Sequence, residues 1–495
     1  VRFEKILVAN RGEIAIRIMR AARELGIEPV AVYSEADRAS LHVRLSREAH
    51  LIGPPPPSQS YLNADVLVET ALKSGCQAVH PGYGFLAENA DFAQMCCDAG
   101  LIFVGPSPEA MRRMGDKLEA RRIAAEAGVP MVPGTASGAR SAAEAAKAAA
   151  EIGYPVLLKA AMGGGGKGMR LVTSERELHE GYALATQEAK GAFGDGTIYL
   201  EKYLERPRHV EIQVLADTHG SFVHFGEREC SIQRRHQKLV EESPSVVLDD
   251  ELRSRMGSSA VSIAEAGGYT NAGTVEFMVD SDRSFYFLEV NARLQVEHPV
   301  TEMVTGVDLA QLQLRVARGE ALPVSQPDIT WSGAAIEWRI YAEDPSNNFA
   351  PSAGRVEVLR EPGGPWVRVD SGMYQGCEVP IYYDPLLAKL IVWGKNREEA
   401  VSRSKRALDE YRVVGVKTTV PFHRRVLEDR RFSDGDLDTH FIDDMAPLEA
   451  PDSDVLPLVA AAVYHRHSAA ALAVGDIEKP NPWKAAGRRE GVGAP

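Results

Sequence analysis

Thr274–Met303 reads TVEFMVDSDRSFYFLEVNARLQVEHPVTEM. Two strand-like runs, TVEFMVD and SFYFLEVN, flank a turn at Asp282-Arg283. If the turn is a two-residue hairpin loop, Glu276 lies opposite Glu289, and Asn291 follows two residues on along the same face. Like charges directly opposite one another destabilise a sheet unless something neutralises them. A hard cation held by oxygen ligands does so, and magnesium suits carboxylates combined with substrate phosphates. The alternative is a pair of solvated surface carboxylates. Val275, Phe277, Val279, Leu288 and Val290 fill the alternate positions, as in a sheet packed on one face, and favour the metal reading.

The period-two row runs on through Arg293, Gln295 and Glu297. A straight strand from Glu289 to Glu297 spans about 26 Å at ~3.3 Å per residue, too long for one small site. Either the chain bends after Asn291, or the row serves two neighbouring sites. A bend sets Arg293 and Glu297 beside the carboxylate pair, facing a second substrate.

Upstream, KAAMGGGGKGMR occupies Lys159–Arg170. Gly163, Gly165 and Gly168 satisfy G-x-G-x-x-G, but that fingerprint needs a strand before it and a helix after it. Here YPVLLKA precedes and MRLVTS follows, both strand-like. No Gly-Lys-Ser/Thr closes a Walker A loop. A hairpin tip whose glycines let backbone N–H groups approach phosphates competes evenly with a plain surface turn. Lys159, ending an apolar strand beside the glycines, is placed for phosphates, and Lys117 in MGDK is a second cationic candidate. RHVEIQVLAD puts His209, Glu211 and Gln213 on one strand face. Near Gln233, Arg234, Arg235, His236 and Lys238 form a cluster suited to anions, though a bare charge run is more often a solvated face.

The 495-residue chain is long enough for roughly three domains. Its net charge of −13 argues against nucleic acid as a partner. Five cysteines without paired spacing argue against a disulfide framework or zinc site, and suit a reducing cytoplasm. No apolar run approaches membrane-spanning length. In the first hundred residues strands such as KILVAN and PVAVYSE alternate with helical patterns such as EIAIRIMRAARELG, the mark of a parallel sheet with helices on both faces.

ANRGEIAIRI, HPGYGFLAENA, MGDK, GGGGKGM, EKYLERPRHVEIQ, ERECSIQRRHQK, EFMVD, FLEVNARLQVEHPVTEM and AEDP occur in that order. The sequence closely resembles biotin carboxylases, the ATP-grasp component of biotin-dependent carboxylases, over about residues 2–444. The resemblance implies a mixed α/β and α+β fold: a Rossmann-like N-terminal domain (1–113), an ATP-grasp domain (114–334) with a glycine-rich lid (about 133–203), a C-terminal domain (335–445) and a tail of no assigned role (446–495).

It implies ATP contacts at Lys117, Lys159, the lid glycines Gly165 and Gly166, His209, Gln233 and His236, with Glu201, Lys202, Tyr203 and Leu204 as the adenine hinge. Glu276, Glu289 and Asn291 match ligands of magnesium or manganese, bound as two ions. Lys238, Arg293, Gln295, Val296 and Glu297 match the bicarbonate pocket, and Arg339 the arginine that stabilises biotin's enolate oxygen. The implied reaction is ATP-driven carboxylation of biotin by bicarbonate. Glu297 is the general base, carboxyphosphate is the intermediate, and its phosphate deprotonates biotin. No Met-Lys dipeptide, the usual biotinyl site, occurs. The chain is therefore read as a free-standing subunit serving a separate carrier and carboxyltransferase, with a homodimer suggested by the family. The rival readings are another ATP-grasp ligase, of carbamoyl-phosphate or purine-pathway type, and a non-catalytic nucleotide-binding regulator. The second should lack Glu276, Glu289 or Glu297, and all three are present.

Overall fold

The computed structural model describes residues 2–135, 137–160 and 169–446, with isolated positions 463 and 465. The described residues up to 345 and from 349 to 446 form one compact unit; of a second, only 346–348, 463 and 465 are described. The expectation for Gly165 and Gly166 lies outside the described residues.

The chain opens on a five-stranded parallel sheet with spatial order 48–53, 28–34, 5–8, 78–80, 102–103. This is the order of a Rossmann-like half. Its first helix, Gly12–Glu24, buries Ile14, Ile18 and Ala22, and the chain leaves it through Gly26 at φ +68°. That left-handed conformation suits glycine.

The body of the molecule is one eight-stranded antiparallel sheet. Its strands lie in the order Phe285–Asn291, Asn271–Val279, Arg208–Ala216, Phe222–Arg234, Gln237–Ser243, Ala334–Tyr341, Leu386–Gly394 and Val367–Ser371. The sheet therefore runs through residue 334 into the C-terminal region without a break. Helix Asp250–Ala266 packs on the strands Arg208–Ala216 and Phe222–Arg234, and its Leu252, Met256, Ala260 and Ile263 share a core with Val275, Phe277, Val279, Phe285 and Phe287. A separate three-stranded sheet, Met169–Val172, Val156–Ala160 and Ile198–Lys202, is covered by helices Ala142–Ile152 and Glu175–Phe193 and has a core of its own. The strands on either side of the glycines pair antiparallel, with Lys159 opposite Met169.

The carboxylate hairpin has the expected pairing for a different reason. Glu276 does oppose Glu289, but the turn is longer than two residues. Asp280 bonds Ser284, and Arg283 takes φ +68° and donates to the Asp280 carbonyl. This is a three-residue loop closed by a left-handed residue. It pairs Val279 with Phe285 and Phe277 with Phe287, one step out of the expected register. A bulge at Leu288 then restores the step, so Glu276 meets Glu289 and Thr274 meets Asn291. One expectation fails as a result. Leu288 does not join the core face; Phe287 takes that place, and Leu288 lines the cleft.

Candidate active site

Across four neighbouring strands the register aligns Glu289, Glu276, Glu211 and Arg228 in one polar row. The row borders a cleft of about 910 Å³, into which the three-stranded sheet contributes Lys159 and Glu201, and the segment leaving it Tyr203 and Leu204.

Lys238 is the hub. Its strand begins after a tight reversal at Arg235 (φ +49°) and His236 (φ +67°), which sets Gln233 opposite Lys238. The arginine–histidine cluster is thus the tip of a hairpin: Arg235 and His236 are exposed, as a solvated face would be, but they line the cleft together with Lys238. Two non-glycine residues at positive φ carry backbone strain of the kind that collects at functional sites. Burial, the His209 charge and Lys159 together lower the His236 pKa. Lys238 Nζ donates to Glu211 Oε2 at 2.6 Å, Glu297 Oε1 at 2.7 Å and Glu276 Oε1 at 2.9 Å. Burial works against its charge, but the three carboxylates outweigh burial and hold it firmly protonated. One ammonium does not serve three anions equally. Glu297 and Glu276 resist burial and stay well below the usual carboxylate range, held by Lys238 with Arg339 and with His209 respectively. Glu211 is pushed up, chiefly by burial, even though Arg228 bonds it.

Glu297 is wholly buried behind the cleft wall, between Lys238 and the Arg339 Nη2, which lies 3.0 Å from its Oε2. The bend after Asn291 puts it there. The strand ends at Asn291, and Arg293 folds back to donate to Gln295 Oε1 at 2.8 Å and Asn291 Oδ1 at 3.2 Å. Glu88, from the HPGYGFLAENA segment, clamps the bend by accepting from the Ala292 N–H at 3.0 Å and Arg293 Nε at 2.9 Å. Lys389 Nζ donates to the Val296 carbonyl at 2.8 Å and fixes the turn into Glu297.

Glu276, Glu289 and Asn291 supply hard oxygen donors on the same side of the row. Glu276 is already served, with Lys238 at 2.9 Å and the His209 ring at 3.0 Å. That contact raises the His209 pKa despite its burial. Glu289 is poorly served: its nearest cation, Lys117, stands 3.9 Å off. Burial and the facing Glu276 both raise the Glu289 pKa, tempered by a side chain still 41 % exposed. The Asn291 Oδ1, the amide atom able to ligate a cation, accepts from Arg293 Nη2 at 3.2 Å. The trio thus fits a divalent cation, which would supply neutralising charge where phosphate oxygens collect. A tighter donor cluster, His209–Glu211–Glu276, has ligand atoms within 4.8 Å of one another, but Lys238 already bridges its two carboxylates. E276Q and E289Q should each raise the magnesium concentration needed for half-maximal turnover. A magnesium titration of both variants that overlays the wild type would leave two ordinary glutamates.

On the opposite wall Lys159 and Arg121 both donate to the buried Glu201 carboxylate. Lys202 Nζ is committed to the Gly153 and Tyr154 carbonyls at 2.9 and 3.0 Å, so it offers the cleft main chain, not charge. All the described candidate residues line the cleft except Glu297. Glu211, Arg228, Glu88 and Arg121 touch the site and had no assigned role. For Glu211 a signal existed, its shared face with His209; for Arg228, Glu88 and Arg121 only the folded register reveals the contact.

A Rossmann-like half, a lid-like sheet and an antiparallel sheet carrying carboxylates over a nucleotide-sized cleft define an ATP-grasp enzyme. Family comparison agrees. Residues 2–111 match the biotin carboxylase N-terminal domain, 116–325 the carbamoyl-phosphate synthase L chain ATP-binding domain, and 337–444 the biotin carboxylase C-terminal domain. The chain is 54 % identical over 441 residues to biotin carboxylase 1 of Bacillus subtilis, covering 89 % of this chain and 98 % of that one. It is 51 % identical over 445 residues to the biotin carboxylase of a Nostoc species, covering 90 % and 100 %. Among solved structures, the biotin carboxylase–β,γ-ATP complex from Campylobacter jejuni superposes with a TM-score of 0.86 at 47 % identity, over 90 % of this chain and 99 % of that one. The biotin carboxylase domain dimer of Hydrogenobacter thermophilus 2-oxoglutarate carboxylase, with MgADP, ADP and bicarbonate, gives 0.85 at 49 %, over 90 % and 98 %. The chain belongs to the biotin carboxylase family, and its reaction is the ATP-dependent carboxylation of biotin by bicarbonate. The carbamoyl-phosphate rival shares only the central ATP-binding family.

Proposed function

We propose that Glu297 is the base of this reaction, that Arg293, Gln295, the Val296 main chain and Lys238 hold bicarbonate, and that Arg339 receives the biotin enolate oxygen. Lys117, Lys159, His209, Gln233 and His236 hold ATP with the segment Glu201–Leu204, and Glu276, Glu289 and Asn291 hold the divalent cation. The supporting observation is the single buried chain Glu276–Lys238–Glu297–Arg339, which links the phosphate end of the cleft to its biotin end. Glu297 is ionised at neutral pH and can take bicarbonate's proton on a carboxylate oxygen. Taking that proton weakens its hold on Arg339. The guanidinium Nη2 is then free to turn to a developing enolate oxygen. The two half-steps are coupled through one side chain.

The carboxylated biotin is carried on a separate protein and handed to a separate carboxyltransferase, in a cytoplasmic assembly built on a homodimer. Support comes from relatives named biotin carboxylase, which this chain spans almost end to end, and from the dimeric solved relative. Five unpaired thiols suit a reducing compartment, and no helix among the described residues is long and apolar enough to cross a membrane. Mixing the protein with a purified biotinylated carrier domain, ATP and labelled bicarbonate should move label onto the carrier. Label on free biotin but none on the carrier would overturn the separate-carrier reading.

A further inference from the structure

The same sheet holds a second facing pair of carboxylates that the reaction as described does not use. Glu241 on Gln237–Ser243 stands opposite Glu337 on Ala334–Tyr341, and both side chains are fully buried. Two residues on, Arg339 shares the Glu337 face, and Arg339 stands opposite Lys389 on the next strand. Glu241 Oε1 lies 2.5 Å from both Arg339 Nε, which donates to it, and Nη2; Nη2 also reaches Glu297 and Nη1 reaches the Tyr341 hydroxyl at 3.2 Å. Neither oxygen of Glu337 has a hydrogen-bond partner, nor does Glu241 Oε2. An ionised carboxylate left bare in a buried site is costly. Two of them facing one another are costlier still, so one proton between them is the stable state.

We infer that Glu241 and Glu337 form a one-proton carboxyl pair in which ionised Glu241 is the positioning residue that aims Arg339, and Glu337 is the neutral member. The inference rests on the reading of Arg339 as the enolate-binding group. Glu241 Oε1 grips the Nε and Nη2 edge of the guanidinium together, and leaves the second Nη2 hydrogen to alternate between Glu297 and substrate. Without that grip, Glu297 is the main anion left to hold the guanidinium and keeps it from substrate.

Other charges around the pair are consistent with this state. Glu241 faces Arg339, Glu297 and Lys238, with the Cys230 thiol and Tyr341 hydroxyl beside it; Glu337 faces Lys389, Arg339 and Glu297. Burial first, and then the Glu297 anion, push the Glu241 pKa up to about 7 against the pull of Arg339. Burial and Glu241 raise Glu337 well above the usual range against the pull of Lys389. Rising pH therefore removes the pair's last proton, held on Glu337, only well above the usual carboxylate range. The second anion then competes for Arg339, and turnover falls as pH rises.

The test uses the full chain and measures kcat against pH, with biotin saturating, for wild type, E241Q, E241D, E337Q and R339A. E241Q should lose at least roughly tenfold in kcat, the equivalent of one charge-assisted hydrogen bond, with KM for ATP unchanged. E241D, which keeps the charge, should recover part of the loss. E337Q cannot form the second anion, so its alkaline limb should move to higher pH. A merely structural role would lower melting temperatures without moving the limb or separating kcat from KM. An E337Q profile that superimposes on wild type, or an E241Q with wild-type kcat, overturns the pair. Should E337Q fail to fold, E241Q with E241D decides alone by the same kcat criterion. R339A separates the layers: if it turns over normally, the Arg339 reading itself falls, whereas a slow R339A beside a normal E241Q sinks only the pair.

Discussion

E297Q should bind ATP with wild-type affinity and cleave it, with biotin and bicarbonate present, at least ~10²-fold more slowly, the usual loss for a removed general base. The substitution keeps size and one acceptor oxygen, turns an amide NH2 toward either Lys238 or Arg339, and cannot accept a proton as an anion. ATP binding survives because Glu297 lies behind the wall that the nucleotide candidates line. Lowering pH on the wild type should approach the same state. Burial opposes the Glu297 charge, but Lys238, Arg339 and Arg228 hold it well below the usual range. Its ionisation, and the stability drawn from those pairings, are present above the unfolded glutamate pKa and lost only as pH falls through the depressed folded value. Calorimetry gives the binding arm and phosphate release the turnover arm. Normal turnover removes Glu297 as the base; lost ATP binding makes its role structural.

K238M is expected to do broader damage. Methionine fills the stem's volume but leaves Glu211, Glu276 and Glu297 without their shared ammonium. Breaking a buried ionic cluster by removing one partner costs about 3 kcal/mol or more, so the melting temperature should fall. The remaining carboxylates would relieve their repulsion by taking up protons, and Glu297 would lose its ionisation near neutrality. Turnover should therefore drop by at least ~10², with the residual activity rising toward alkaline pH. Wild-type turnover with a lowered melting temperature would make Lys238 a structural hub only. E297Q and K238M share one network, so their effects should not add.

Much of this site is legible in sequence because strand periodicity alone places Glu276, Glu289 and Asn291 on one side of a hairpin. The turn itself is not. A left-handed Arg283 and a bulge at Leu288 compensate for one another, and neither has a local signature that outweighs the apparent Asp-Arg turn. Length leaves two outcomes, a bend after Asn291 or a row serving two neighbouring sites, and the strand ends at Asn291. What holds the bend does not follow, because Glu88 and Lys389 come from distant segments. Arg235-His236 reads as a charge run because two non-glycine residues at positive φ are an improbable turn on propensity grounds. Glu241 and Glu337 are invisible for the same kind of reason: Glu337 sits between Ile336 and Trp338, Glu241 between Val240 and Glu242, and only pairing across the sheet makes them a pair.

The most direct test of the central claim is the fate of the carboxyl carbon. With ATP, magnesium, labelled bicarbonate and free biotin, the protein should form ADP only when bicarbonate is present, faster with biotin, and the label should appear in acid-labile carboxybiotin. ADP formed with ammonia and bicarbonate, indifferent to biotin and leaving biotin unlabelled, would contradict the account.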